Sequence, residues 1–260
     1  MSSKQYLRRD IKERERLIDT SISITEFRLR KQYLRSEQKI QKEMELLYDK
    51  IMREGGSGQA LASHLYEFNR YYDLLNNMNT ELTKLNSKEK VIFKSEFTDL
   101  YSANSKLLNK QLGLASKVNP EQVNKVINGV CADGLNWSDR LNHKSQLINT
   151  LTNSLVDCVA TGASHEKLVK DIMLNFGSSY ANASRLARTE LSHIYNQSTK
   201  DKYEEAGIEQ YRFLTAEDET TCDECGDLDG QVFNLEDAIE GENYPPIHPN
   251  CRCTVLAVIN

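Results

Sequence analysis

Four of the six cysteines of this chain fall within its last sixty residues, as Cys222-Asp-Glu-Cys225-Gly226 and His248-Pro-Asn-Cys251-Arg-Cys253. A C-x-x-C turn brings two thiolates close enough for one tetrahedral metal ion, and the glycine after it lets the turn tighten so that backbone N–H groups point at sulfur. Cys251 and Cys253 are two residues apart, so an extended strand presents both on one side. His248 lies a short turn upstream and offers an imidazole. That makes five candidates for four places, and the spacing does not say which one is spare. Around them lie only short β-like pieces, Tyr211-Arg212-Phe213-Leu214, Gln231-Val232-Phe233 and Thr254-Val255-Leu256-Ala257-Val258. So few residues build little core of their own and need a staple. The expected staple is one structural zinc per chain, weighed against disulfides, no metal and a catalytic site. Six cysteines in 260 residues are too sparse for a disulfide scaffold. Four protein ligands would leave no open position for water, so a site of that kind stabilises a fold and hydrolyses nothing. Cys131 and Cys158, outside this segment, read as ordinary buried thiols.

The rest of the chain reads as helix. Residues 1–54 hold neither proline nor glycine, and Ile40, Met44, Leu47 and Ile51 recur at spacings of four, three and four, which places them on one helical face. Gly55-Gly56-Ser57-Gly58 interrupts the pattern as a turn. Leu61, Leu65, Phe68, Tyr72, Leu75, Leu82 and Leu85 then continue a three/four rhythm, so an antiparallel hairpin with a shared apolar seam is expected. A further helix is expected over residues 88–112 through Ile92, Phe97, Leu100, Tyr101 and Leu108. Asn119-Pro120-Glu121 is a capped start with proline at the first helical position. Trp137-Ser138-Asp139-Arg140 is another start, and Leu141, Ile148, Leu151, Leu155 and Val159 line the helix after it, which should end at Gly162. Ser164 should open a short helix stopping near Gly177, and Ser178 or Ser179 a longer one through Leu186, Glu190 and Ile194 to Gly207. The fold class is therefore mainly α: a long N-terminal helical hairpin and a helical middle, then a small zinc-stapled α+β C-terminal module with short strands. The expected domains are a helical region over 1–129, turning near 55–58, and a second over 130–260 with the zinc module at about 208–260.

Charge is distributed unevenly. Residues 1–54 carry 14 Lys+Arg against 10 Asp+Glu, residues 55–200 carry 16 against 13, and residues 201–260 carry 3 against 15, for an overall net of −5. An acidic tail repels polyphosphate, so any contact with nucleic acid should fall to the first 200 residues. No stretch approaches the roughly 18 to 20 apolar residues that a membrane span needs, and Met1–Glu15 is charged without an apolar core, so a soluble, non-secreted, membrane-free protein is expected. Zinc deaminase order, H-E-x-x-H, Walker A and G-x-G-x-x-G are all absent. His64, His143 and His193 stand isolated. Glu217-Asp218-Glu219 reads as a solvated acidic loop. No catalytic residues are expected.

A family likeness rests on Ala187-Arg188-Thr189-Glu190, Asn196, Gly207, Tyr211-Arg212-Phe213, Thr221-Cys222-Asp-Glu-Cys225, Asp229-Gly230 and Pro246-Ile247-His248-Pro249-Asn250-Cys251-Arg252-Cys253, with Trp137-Ser138-Asp139-Arg140 near its beginning. In this order the pieces resemble the phage Mu F-like minor head protein family, the head morphogenesis proteins, over roughly residues 130–260. The resemblance implies a non-enzymatic minor capsid protein of a tailed phage, inside the head and associated with the portal. It would assemble in the host cytoplasm, aiding head assembly and the handling of packaged DNA. The implied partners are the portal protein, scaffold or major capsid protein, and DNA through the N-terminal helices. Some members of the family carry C-terminal toxin domains, including ADP-ribosyltransferases; with seven residues after Cys253, none is expected here. Trp137, Arg188, Glu190 and Asn196 are the family-motif residues expected to govern docking. Arg188 and Glu190 would fix how the helix and zinc module meet, or Arg188 would face the portal. A zinc-containing nucleic-acid-binding regulator is the alternative, and a phage-borne toxin or enzyme a third reading.

Overall fold

A computed structural model describes residues 3–53, 70–129, 135–141, 144–161, 163–216 and 221–259. In chain order its elements are α1 (Ser3–Arg53), α2 (Arg70–Leu112), α3 (Pro120–Ile127), α4 (Trp137–Arg140), α5 (Lys144–Thr161), α6 (His165–Glu205), β1 (Gln210–Leu214), α7 (Asp223–Leu228), β2 (Val232–Asn234), a 3-10 turn (Leu235–Asp237) and β3 (Thr254–Ala257). The protein is thus mainly helical with a small antiparallel sheet near its C-terminus, as expected. The glycine turn at 55–58, Leu61, Leu65, Phe68, His64, Cys131, His143, Gly162 and Glu217-Asp218-Glu219 lie outside the described residues.

Two compact units divide the chain, each assembled from separate segments: Phe27–Ile92 with Ser138–Ser184, and Met1–Glu26 with Phe93–Trp137 and Arg185–Asn260. In the first, apolar periodicity translates directly into packing. Ile40, Met44, Leu47 and Ile51 of α1 are buried with Leu74, Met78, Leu82 and Leu85 of α2, Leu147, Leu151, Leu155 and Val159 of α5, and Leu168, Ile172 and Phe176 of α6. Cys158 is buried among them. Ser36 donates to Glu81 and Tyr33 to Glu89, so α1 and α2 run antiparallel here, as a hairpin requires.

One polar node interrupts that core. Glu89 is fully buried; Tyr33 donates to its Oε1 at 2.6 Å and Lys144 at 3.0 Å. Burial pulls the Lys144 ammonium below the usual lysine range, against the attraction of Glu89.

Three expectations about helices are corrected. Residues 88–112 do not form a separate helix; they continue α2. Tyr72 does not join the seam: it is 59% exposed, and Leu74 and Met78 take the buried positions. The α2 stripe that packs is therefore Leu74–Met78–Leu82–Leu85, at steps of four, four and three. Gly177 does not end a helix either, since α6 runs unbroken from His165 to Glu205. A mid-helix glycine costs only about 1 kcal/mol, and Phe176, buried just before it, holds the helix in place from both sides together with Ala183.

In the other unit, Asn119 caps α3 by accepting from the Glu121 N–H at 2.9 Å, with Pro120 at the first helical position. Trp137 is buried edge-on to Phe97 and beside Phe93, its ring N–H donated to the Ile127 carbonyl at 2.8 Å. Gly207, at φ 68°, ends α6 and lets Ile208 donate back to the Tyr203 carbonyl. The sheet follows in the order β2-β1-β3, antiparallel throughout. Along β1, Tyr211 and Phe213 point inward while Arg212 points out. Leu108 of α2 and Tyr203 of α6 pack with Tyr211, Leu235, Tyr244 and Val255, so helices from distant parts of the sequence complete the core of the sheet.

Candidate metal centre

Phe213 carries the sheet core into a second cluster with Cys225, Cys251 and Cys253. The first half of the site is a helix start. Cys222 is the N-cap of α7, in extended conformation, and its sulfur accepts the Cys225 N–H at 3.4 Å. This is the backbone-to-sulfur contact that the C-x-x-C spacing predicts. The N–H of Gly226 goes instead to the Cys222 carbonyl, so the glycine extends the turn without pointing at sulfur.

The second half is a tight turn. Cys251 donates its N–H to the His248 carbonyl, and Asn250 between them adopts φ 63°, a left-handed conformation that asparagine tolerates better than most residues. The turn brings the His248 Nε2 to 3.2 Å from the Cys222 sulfur and 3.3 Å from the Cys225 sulfur, while the Cys225 and Cys251 sulfurs stand 3.9 Å apart. A tetrahedral zinc with sulfur at about 2.3 Å sets sulfur–sulfur separations of about 3.8 Å and sulfur–nitrogen separations of about 3.6 Å. Nδ1 of His248 lies 2.9 Å from the Pro249 carbonyl; donation there leaves Nε2, the atom facing the thiols, with its lone pair.

All five candidates therefore converge. They form two triads, Cys222–Cys225–His248 and Cys225–Cys251–Cys253, in each of which the ligand atoms lie within 4.8 Å of one another. Cys225 belongs to both. Cys225, Cys251 and Cys253 are buried, whereas Cys222 and His248 are half-buried.

The electrostatics are those of a crowded donor set. A hydrogen bond from Cys253 lowers the Cys251 thiol to about 5, and the same contact with Cys251 pushes Cys253 far up. Burial first, and then the Cys251 charge, raises Cys225 to about 12. The Cys225 N–H lowers Cys222. His248 is raised despite its burial by the Pro249 carbonyl and by Cys251 and Cys222. Protons are thus shared unequally among groups that a divalent cation would satisfy together, with release of protons on binding. The cluster could hold a metal ion, and its chemistry suits zinc.

Helix α6 docks this cluster through a strip that repeats every seven residues. The Thr189 Oγ1 accepts the Asn250 N–H at 3.0 Å, the Asn196 Nδ2 donates to the Cys253 carbonyl at 3.2 Å, and the Tyr203 hydroxyl donates to the Val255 carbonyl at 3.4 Å and accepts the Ala257 N–H at 3.1 Å. Tyr244 donates to the Asn196 carbonyl at 2.7 Å and holds the middle of the strip. Of the expected docking residues, Asn196 touches the cysteine segment in this way. Arg188 donates to Glu26 of α1 at 2.6 Å and is half exposed. Glu190 is buried, and Trp137 sits in the aromatic cluster described above. His193, half-buried, lies 2.6 Å from Glu240 through Nδ1. Thr189, which the family motif includes without a docking role, and Tyr203 and Tyr244, which it does not include, make these contacts. The signal for Thr189 and Tyr203 is the spacing 189–196–203 of hydrogen-bonding side chains.

Residues 149–256 match the family described as "Phage Mu protein F like protein". An uncharacterized protein of Haemophilus influenzae is 24% identical over 117 residues, which cover 45% of this chain and 26% of that one. The NAD(+)--arginine ADP-ribosyltransferase EFV of Enterococcus faecalis is 26% identical over 158 residues, 55% of this chain and 32% of that one. The chain spans between about a quarter and a third of the length of these relatives. No solved structure matches. The matched span takes in α6, the sheet nearly to its end and all five candidate ligands; over residues 149–256 the chain is similar to the phage Mu protein F like family, as the ordered motifs from Ala187 to Cys253 anticipate.

Proposed function

We propose that the protein is a minor capsid protein of a tailed bacteriophage, acting in head morphogenesis from inside the head, where it is associated with the portal. The match over residues 149–256 carries this reading. Residues 130–260 supply the head morphogenesis part. One zinc, held by four of Cys222, Cys225, His248, Cys251 and Cys253, fixes their C-terminal end as a compact docking unit. Residues 1–129 supply helices that engage portal, scaffold or major capsid protein, or DNA. The net positive charge of residues 1–54, against the acidic residues 201–260, supports assigning any DNA contact to the helices.

The protein does no chemistry of its own in this reading. Four protein ligands close a zinc site to water, and in this reading the contact of His193 with Glu240 at 2.6 Å is structural. The relationship to an ADP-ribosyltransferase involves about a third of that protein.

Mass spectrometry of purified particles tests the proposal. The chain should be found inside virions at a few copies per portal and co-purify with the portal protein. Its absence from particles while present in infected cells would refute a capsid role and favour an assembly factor or a regulator. Arg188→Ala tests the docking surface separately: loss of portal co-purification from a folded protein would assign Arg188 to that surface, and unchanged co-purification would exclude it from that surface.

A further inference from the structure

Arg14 lies far outside the family-matched segment, yet it is buried and points at the end of that segment. Its guanidinium donates to the Tyr195 hydroxyl at 3.0 Å, the Tyr203 hydroxyl at 3.1 Å, the Thr199 hydroxyl at 3.2 Å and the Val255 carbonyl at 3.2 Å. It also lies over the rings of Tyr195 and Tyr203, 5.5 and 6.0 Å from their centroids. Among the described residues no carboxylate accepts from it. A cation buried without an acid depends on such neutral acceptors and ring faces, since its desolvation is otherwise uncompensated. Asn104 of α2 holds the cage from behind, donating to the Tyr195 carbonyl and the Ser198 and Thr199 hydroxyls.

The register of the sheet shows what the cage closes. Gln210 accepts the Val258 N–H, and Tyr211 and Phe213 stand opposite Ala257 and Val255. In an antiparallel pair the hydrogen-bonded positions alternate, so the backbone groups of Val255 and Ala257 face away from β1, along the open edge of the sheet. Those are the groups that Arg14 and Tyr203 occupy. An uncovered edge strand is a template for pairing with another chain. Here it is capped by side chains, and the capped strand begins at the residue after Cys253.

We propose that Arg14 is a latch on the free edge of β3, coupling helix α1 to the strand that leaves the cysteine cluster so that the two open together. Arg14 acts as a positioning residue for the cluster, continuing the Thr189–Asn196–Tyr203 strip from a different helix.

Hydrogen exchange on the full chain tests this, read by mass spectrometry over residues 248–258, over α1 near residue 14, and over residues 147–159 as a control in the other unit. Arg14→Met fills the space without donors. Loss of hydrogen bonds to a charged group should speed exchange at 254–257 by about tenfold or more, with the control unchanged and Arg14→Lys intermediate. Exchange at 254–257 equal to that of the wild type would overturn the latch, as would acceleration of all three regions alike. If Arg14→Met fails to fold, Tyr203→Phe removes the hydroxyl shared by Arg14, Val255 and Ala257 and must give the same local pattern. A second arm rests on the zinc reading: EDTA treatment of zinc-loaded protein should raise exchange near residue 14 as well as at 248–258. Zinc loss that leaves residue 14 protected would overturn the coupling. A protein that never held zinc would overturn the metal reading instead, and the Arg14→Met arm would still decide the latch.

Discussion

The helical unit and the cysteine segment solve the same problem, the ordering of a chain, by opposite means. In the unit built from Phe27–Ile92 and Ser138–Ser184, apolar faces of long helices bury one another, and a stretch of sequence specifies its own buried face through its period. The segment after Gly207 has strands of five, three and four residues. It gains order from side chains converging on one point and from α6, which meets it residue by residue at Thr189, Asn196 and Tyr203. Burial in the helical unit is spread over many contacts, so damage there is graded. Order in the cysteine segment is concentrated, so a single change can remove it.

That contrast can be broken in several ways. Cys225→Ser should act most strongly, because Cys225 is common to both triads; structural zinc contributes on the order of 10 kcal/mol to folding of small metal modules. Loss of near-ultraviolet signal and protease cleavage after residue 207, with the helical unit intact, is the expected result. In the helical unit, Glu89→Ala should cost roughly 3–5 kcal/mol, because it leaves Lys144 buried without its partner. The double substitution Glu89→Leu/Lys144→Met should restore most of that, as measured by denaturant midpoint, with zinc content unchanged. Thr189→Val removes the acceptor of the Asn250 N–H and should cost about 1–3 kcal/mol, seen as faster zinc transfer to a competing chelator while the helical unit melts as before. The smallest effect belongs to Arg188→Ala, since its pair with Glu26 is half exposed: under about 1 kcal/mol, and less at high salt.

Much of this was legible in the sequence, for reasons that particular residues show. Ile40, Met44, Leu47 and Ile51 are buried because helical spacing determines which side chains share a face. The C-x-x-C turn gave away its geometry because capping is local: Cys222 needs only the N–H three residues on. The H-P-N-C turn is local in the same way. What sequence reasoning missed is non-local or low in energy. Gly177 carries a stop signal of about 1 kcal/mol, which packing on either side overrides. Tyr72 keeps rhythm with the seam, but it lies one position off the stripe that the buried Leu74 and Met78 define, and it is exposed. Arg14 and Asn104 gave no signal, because a buried arginine among tyrosines depends on residues up to 241 positions away. The fifth ligand candidate also resists spacing arguments, since Cys251 and Cys253 both reach Cys225.

The central claim is that the C-terminal segment is ordered by one zinc ion. Metal analysis of the full chain, purified without a metal-binding tag and dialysed, tests it most directly. The account predicts about one zinc per chain, lost together with sheet structure on chelation and absent from Cys225→Ser. Zinc far below one equivalent, in a protein whose residues 208–259 stay ordered, would contradict it.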